Sequence, residues 1–83
     1  MKQITIYDLL PLLKKGWVSC EKNGEWVWHK TKPRIEEYLD ENYKKEIWWT
    51  SRYCFPITEF FNIAPFDGDW KDSLIKVEHK EEE

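Results

Sequence analysis

Residues 16–30 read GWVSCEKNGEWVWHK, and this stretch decides the fold. Asn23-Gly24 lies between two runs of β-branched and aromatic residues, which is the strongest short-range signal for a β-hairpin, because both central residues of a type I′ turn need positive φ. A two-residue loop also sets the register and places Cys20 opposite Val27. The sequence therefore predicts two antiparallel strands joined by Asn23-Gly24.

Side chains alternate along a strand, so this register gives the hairpin two different faces. One face is aliphatic and carries Val18, Cys20 and Val27. A two-stranded ribbon needs a covered face to be stable, and we expect the N-terminal helix to cover the aliphatic one. The other face is then the candidate binding surface, which we call the tryptophan wall. It comprises Trp17, Trp26 and Trp28.

The chain is small, with 83 residues, but it contains six Trp, four Tyr and four Phe. A chain of this length forms one domain and buries roughly 60% of its unfolded surface, which leaves little room for a deep active-site cleft. Aromatic side chains stabilise a small core, and homo-oligomerisation is a second route to stability. We assign residues 1–77 to a single domain and residues 78–83 to a charged tail that frays.

The net charge of −3 hides an asymmetry between the two halves of the chain. Residues 1–34 contain seven Lys/Arg and three Asp/Glu, whereas residues 35–83 contain six and thirteen. A local anion site on the basic half is compatible with this balance, whereas binding to extended nucleic acid is disfavoured. Without an apolar run that could span a membrane or a secretion signal, we expect a protein of the host cytoplasm that does not bind membranes, with Cys20 and Cys54 reduced.

The N-terminal segment predicts a short helix over residues 6–15, with its apolar side chains at helical spacing and Gly16 at its end. Thr5 and Asp8 are both candidate N-caps. We favour Asp8, because Pro11 then falls in the first turn, where its missing N–H costs nothing. The predicted fold is α+β, with this helix packed on a small antiparallel sheet built from the central hairpin and one or two further strands.

The segment 46–53 is rich in β-formers and predicts a third strand, with Trp48 and Trp49 on opposite faces and one of them joining the tryptophan wall. Residues 35–45 fit either a helix or a charged loop, and we favour a loop that contains a turn of helix. Three further elements are predicted: a helical turn at 56–61, a helical turn capped by Asp69, and a last strand at 74–77.

The chemical inventory favours binding over catalysis. His29 and His79 are the only histidines, and no nucleophile constellation, zinc motif or phosphate loop occurs, so we expect no enzymatic activity, metal or cofactor. Indole faces stack nucleobases at about 1–3 kcal/mol per base, and basic side chains hold phosphate. The competing interpretation is that the tryptophans form the core. The candidate ligand-binding residues are Trp17, Trp26, Trp28, Lys30, Arg34 and Arg52.

The acidic C-terminal half contains a second candidate site, because aromatic anchors ringed by charge are typical of protein interfaces. Here the competing interpretation is that Trp70 fills the core while the acidic residues cap helical turns. The candidate protein-binding residues are Phe66, Asp67, Asp69, Trp70 and Asp72.

The order of three motifs, LLKKGW at 12–17, the tryptophan-rich hairpin and NIAPFDGDWKDSLI at 62–75, resembles small phage and prophage proteins of gut and Gram-positive bacteria. In layout the chain is also similar to the anti-Thoeris phage proteins, which sequester an immune signal of the cyclic ADP-ribose type. The resemblance implies a non-enzymatic phage protein that antagonises bacterial defence by sequestering a nucleotide signal. The alternatives are an inhibitor that binds a host defence protein in the manner of anti-CRISPR proteins, and a structural or regulatory phage protein.

Overall fold

The computed structural model describes residues 3–78, which form one short α-helix and six strands in two antiparallel sheets. This architecture confirms the predicted α+β class. Helix α1 spans Ile6–Leu9, and 3-10 turns span Leu10–Leu12, Ile57–Glu59 and Trp70–Asp72. The strands are β1 (Gly16–Cys20), β2 (Trp26–His29), β3 (Arg34–Leu39), β4 (Lys45–Thr50), β5 (Cys54–Pro56) and β6 (Ile75–Val77). The predicted tail lies, except for Glu78, outside the described residues, as does His79.

The strands divide into a larger sheet, with the order β5-β2-β1-β6, and a separate ribbon of β3 and β4. The predicted third strand is present as β4, although it pairs with β3 rather than with the first hairpin. The predicted loop at 35–45 is wrong, because residues 34–39 form a strand and only residues 40–44 turn. Pairing with the β-rich segment of β4 overrides the helical spacing of the apolar residues in β3. The predicted last strand and both predicted helical turns are confirmed.

The first hairpin has a three-residue loop, not the predicted two-residue loop. The N–H of Gly24 donates to the carbonyl of Glu21 at 2.9 Å, and the N–H of Glu21 donates to the carbonyl of Glu25 at 2.7 Å. Of the loop residues Gly24 alone has a positive φ, at 93°, so a type I turn is followed by a left-handed bulge residue. The additional residue shifts the register by one and brings Cys20 opposite Trp26.

This shift divides the predicted tryptophan wall between two faces, because a slip of one residue turns every side chain of a strand to the other side. Trp26 and Trp28 now share a face with Val18 and Cys20, and that face packs against α1. Trp17 stays on the opposite face. The tryptophan wall is therefore wrong as a single surface, whereas the prediction that α1 covers one face of the hairpin is confirmed.

The main core lies between α1 and this face of the larger sheet. Trp26 is its largest member and is only 1% exposed, with its indole N–H donating to the carbonyl of Ala64 at 2.9 Å. The indole N–H can be buried without losing its hydrogen bond, because the carbonyl of Ala64 accepts it. The buried members are Ile6, Leu9, Val18, Cys20, Trp26, Ile57, Ile63 and Val77.

The start of α1 differs from the favoured prediction, because Thr5 and not Asp8 is the N-cap. The carboxylate of Asp8 instead reaches back and accepts a hydrogen bond from the N–H of Thr5 at 3.0 Å, as the third residue of a capping box does. Pro11 then falls beyond the first turn, where it lacks the N–H that an α-helix would use. The helix accordingly changes to a 3-10 turn at Leu10 and is shorter than predicted.

The ribbon is held to the rest of the molecule through Trp49, which is buried and donates its indole N–H to the carbonyl of Trp70 at 3.3 Å. Trp48 is half-buried on the opposite face of the ribbon, as the strand prediction requires. No helix within residues 3–78 is long and apolar enough to cross a membrane.

Candidate functional site: a basic cleft at the base of the ribbon

A cleft of about 410 Å³ opens where the ribbon joins the larger sheet. Its walls come from the connection between β2 and β3, the first half of β3, and the end of β4 with the residues after it. Three cationic side chains and three hydroxyl groups face one carboxylate, so the cleft is polar and basic. The lining residues are Thr31, Lys32, Arg34, Glu36, Thr50, Ser51 and Arg52.

The register of the ribbon brings these side chains together. Arg34 lies directly opposite Thr50, and Glu36 follows on the same face of β3. The guanidinium of Arg34 forms an ion pair with the carboxylate of Glu36, but its side chain remains 80% exposed. An exposed pair of this kind contributes about 1 kcal/mol or less, so the guanidinium can be taken over by a ligand at little cost.

An indole ring lies beside the cleft. The Nζ atom of Lys32, which lines the cleft, is 5.5 Å from the ring centroid of Trp17. The Nζ atom of Lys76 lies 5.7 Å from the same centroid. Two cations next to a half-buried ring make this part of the surface attractive to a group that is both anionic and aromatic.

A phenol ring lies beside another wall of the same cleft. Tyr53 is 55% exposed, and the guanidinium carbon of Arg52 lies 5.7 Å from its ring centroid. The Nζ atom of Lys30 lies 5.6 Å from that centroid. Tyr53 therefore repeats the arrangement around Trp17, with one cation that lines the cleft and a second one nearby.

Beneath the cleft, Ser51 connects to a buried histidine. Its Oγ lies 2.7 Å from Nδ1 of His29 and donates to the carbonyl of Tyr53 at 3.1 Å, while Nε2 of His29 lies 2.9 Å from Oγ of Ser19. Because the Ser51 proton is directed to that carbonyl, we assign the imidazole proton to Nδ1, and Nε2 accepts from Ser19. Burial lowers the pKa of His29 to about 4, so the ring is neutral near pH 7.

The structure brings together the basic residues of the predicted ligand site. Arg34 and Arg52 both line the cleft, whereas Lys30 does not line it and is linked to it through the ring of Tyr53, which Arg52 also approaches. Lys32, which was not among the predicted site residues, also lines the cleft. The cluster KTKPR at 30–34 was the signal that could have included it.

The structure separates the three tryptophans of the predicted site. Trp17 lies near the cleft through Lys32, whereas Trp26 is enclosed in the core. Trp28 is half-buried on the core side, where its indole N–H donates to the carbonyl of Lys14 at 2.9 Å. Of the predicted stacking residues, Trp17 alone lies near the cleft. Tyr53, which was not predicted, has the more exposed ring.

The second candidate site uses its two aromatic residues in packing. Phe66 is half-buried and meets Trp26 edge to face, with centroids 6.2 Å apart, and Trp70 is also half-buried. Asp69 caps the following 3-10 turn by accepting from the N–H of Lys71 at 3.0 Å, as the capping prediction required. Asp67 and Asp72 are exposed at the surface. The aromatic anchors are thus less available to a partner than the sequence suggested.

Within residues 3–78, no group of three or more His, Cys, Asp or Glu side chains is placed to hold a metal ion. The two cysteines are both free but differ in exposure, because Cys20 is buried and Cys54 is exposed. Comparisons with protein-family models, curated proteins and solved structures found no match to this chain. The geometry of the cleft is therefore the main guide to its chemistry.

Proposed function

We propose that this chain is a small non-enzymatic binding protein whose basic cleft holds a phosphate-bearing small molecule of the nucleotide type. The observation that carries the proposal is that Lys32, Arg34 and Arg52 line one cleft and that the rings of Trp17 and Tyr53 lie beside two of these cations. Guanidinium groups bind phosphate through paired hydrogen bonds, and aromatic faces stack bases without regard to their identity. Sites for small molecules typically have volumes of about 300–1,000 Å³, a range that includes this cleft.

We further propose that the protein acts for a phage against a bacterial defence system by withholding such a nucleotide from its receptor. The similarity in layout to anti-Thoeris proteins supports this role. Sequestration requires no catalytic group, and the hydrogen bonds of His29 support binding rather than turnover. In the tautomer assigned above, Nδ1–H donates to Ser51, so the imidazole does not act as a base toward that hydroxyl.

Calorimetric titration with ATP, ADP-ribose, cyclic ADP-ribose and pyrophosphate tests the proposal. We expect binding of at least one nucleotide, and we expect Arg34→Gln and Arg52→Gln each to weaken it about 10- to 100-fold, because a hydrogen bond to a charged group contributes about 1.5–3 kcal/mol. Lys22→Gln is the matched control. It removes one positive charge from the exposed loop of the first hairpin, outside the cleft, and should change the affinity less than twofold.

The result that would overturn the proposal is the absence of binding to every nucleotide at micromolar concentration. Equal weakening by Lys22→Gln and Arg52→Gln would also contradict it, because the effect would then be one of net charge alone. The stacking part has its own test in Tyr53→Leu. This change should weaken the binding of nucleotides but not that of pyrophosphate, which has no base.

A further inference from the structure

Strand β3 has an open edge. It pairs with β4 on one side, and among residues 3–78 no strand pairs with its other side. The turn between β3 and β4 shows which backbone groups point outward. The N–H of Asp40 donates to the carbonyl of Lys44 at 2.9 Å, so Asp40 and Lys44 form a hydrogen-bonded pair. From there, non-hydrogen-bonded and hydrogen-bonded pairs alternate along the two strands. Every second residue of β3 therefore directs its N–H and carbonyl away from β4. These outward residues are Ile35, Glu37 and Leu39.

The outer edge of β4 gives an independent check on this assignment. Trp49 lies opposite Ile35, and its N–H donates to the carboxylate of Glu21 at 3.0 Å instead of to β3. The pair of Ile35 and Trp49 is therefore a non-hydrogen-bonded pair, as the alternation from the turn requires. Glu21 thus occupies the free edge of β4, whereas the corresponding edge of β3 stays open.

The edges of the larger sheet are protected in ways that β3 is not. Just before β5, the carbonyl of Tyr53 accepts from the N–H of Lys30 at 3.0 Å, so the alternation of the ladder turns Pro56 of β5, which has no N–H, outward. Strand β6 is three residues long and has Lys76 at its centre. Short length, proline and charged side chains, lysine above all, are the usual means by which proteins block an edge. Strand β3 has six residues and contains neither proline nor lysine. Its charged residues, Arg34, Glu36 and Glu37, disfavour an acidic partner strand but not a basic one.

The charge of this edge indicates what can pair with it. Residues 36–41 contain four carboxylates and no cation. Glu36 is paired with Arg34, and Glu37 lies 3.8 Å from Nζ of Lys45, but both pairs are at the exposed surface and can exchange partners at little cost. Tyr38 and Leu39 are exposed and add apolar surface at the outer end of the strand. We propose that the edge of β3 binds an extended segment of a partner protein, rich in Lys or Arg alternating with apolar residues, which joins the ribbon as a third strand.

A second copy of the chain fits this edge poorly. Antiparallel pairing of two β3 strands about a two-fold axis centred on Glu36 or Glu37 places identical glutamates opposite each other, which is destabilising. Pairing centred on Ile35 avoids this but brings Pro33, which has no N–H, to a hydrogen-bonding position opposite Glu37. These registers disfavour self-association, whereas a basic partner segment avoids the repulsion between glutamates.

Fluorescence anisotropy with labelled synthetic peptides tests the proposal without a known partner. The probe is a peptide of five Lys-Val repeats, and the controls are its Glu-Val counterpart and the Lys-Val peptide methylated at every backbone nitrogen. We expect the unmodified Lys-Val peptide to bind at least tenfold more tightly than either control. Hydrogen exchange of the amides of Ile35, Glu37 and Leu39 should slow at least tenfold in the complex.

Two substitutions at one position separate the backbone contribution from the charge. Glu37→Pro removes an outward N–H without breaking a bond to β4 and should weaken binding at least tenfold, whereas Glu37→Gln keeps that N–H and should weaken it less. If circular dichroism shows that the proline variant does not fold, the methylated peptide provides the same test, because it removes the backbone hydrogen bonds from the side of the ligand. Arg52→Gln should leave peptide binding unchanged, which separates this surface from the cleft.

Three results would overturn the proposal. The first is equal binding of the Lys-Val and Glu-Val peptides. The second is undiminished binding of the methylated peptide, which cannot donate hydrogen bonds to a strand edge. The third is a dimer of the free chain in sedimentation that Glu37→Pro abolishes, because the edge would then serve a second copy.

Discussion

The carboxylate of Glu21 accepts a hydrogen bond from the backbone N–H of Trp49 at 3.0 Å. This contact joins the end of the first hairpin to the outer edge of the ribbon, and Glu21 is only 6% exposed. Burial raises the pKa of the Glu21 carboxyl, the bond from Trp49 opposes that rise, and the charge of Glu25 adds to it. The ribbon is thus tied to the larger sheet by a buried acid whose charge is costly there.

Glu21→Leu should lower the free energy of unfolding by about 1–3 kcal/mol, because it leaves the buried N–H of Trp49 without an acceptor. Glu21→Gln keeps an acceptor oxygen and removes the buried charge, so it should cost less. Urea denaturation near pH 7 measures both changes. An equal loss of stability in the two variants would contradict the assigned role of the hydrogen bond.

His29 should make the protein less stable in mild acid. Its pKa falls from 6.5 to about 4 on folding, so the unfolded state takes up a proton first as the pH falls. The contribution of the neutral ring to stability is complete above pH 6.5 and is lost progressively between 6.5 and 4, by about 3 kcal/mol in total.

The measurement for His29 is urea denaturation at a series of pH values, with His29→Gln as the comparison. The variant should be less stable near neutrality but should show a weaker pH dependence between 6.5 and 4. Proton NMR of the folded protein gives a second measurement that does not need the variant. An imidazole that titrates near its ordinary pKa in the native state would refute the prediction.

Tyr43→Gly should stabilise the protein by about 1 kcal/mol, because Tyr43 has φ 62° and left-handed backbone is costly for a residue with a Cβ. Its side chain is 83% exposed, so little packing is lost. Gly24 occupies the same position in the first hairpin, and Gly24→Ala is the reciprocal change, which should destabilise. Thermal denaturation of the two variants should show shifts of opposite sign, and shifts in the same direction would contradict the common turn geometry.

Gly16→Ala should destabilise the protein by about 2 kcal/mol, because overpacking of a close contact forces the backbone to move. A Cβ at this position would lie 2.5 Å from the carbonyl oxygen of His29 and 2.9 Å from the ring of Trp28. Lys15→Ala, at the exposed neighbouring position, is the control and should have little effect. Denaturant midpoints of the two variants provide the comparison, and similar midpoints would show that β1 adjusts without strain.

The local sequence was sufficient for the elements that depend on neighbouring residues. The apolar and β-branched runs beside Asn23-Gly24 require a hairpin, and the segment around Trp48 and Trp49 requires a strand. Asp69 precedes a helical turn and caps it, because its carboxylate reaches an N–H two residues later. Interactions between residues this close in the sequence do not depend on where the rest of the chain lies.

The tertiary structure decided which residues share a surface. Asn23-Gly24 is compatible with loops of two or three residues, and the face that packs on α1 selects the longer one, because it places Trp26 rather than Val27 in the core. The spacing of apolar residues at 35–43 is likewise compatible with a helix, and only pairing with β4 makes that segment a strand.

The cleft likewise depends on long-range pairing. Lys32 and Arg34 come from one side of the ribbon and Arg52 from the other, and the antiparallel pairing of Arg34 with Thr50 brings the two sides together. Composition alone indicated that the N-terminal half is basic. Side-chain identity and short-range spacing therefore determined the secondary-structure elements and their chemistry. Strand register depends on the packing of distant segments, and it determined the two faces of the hairpin, the cleft and the open edge of β3.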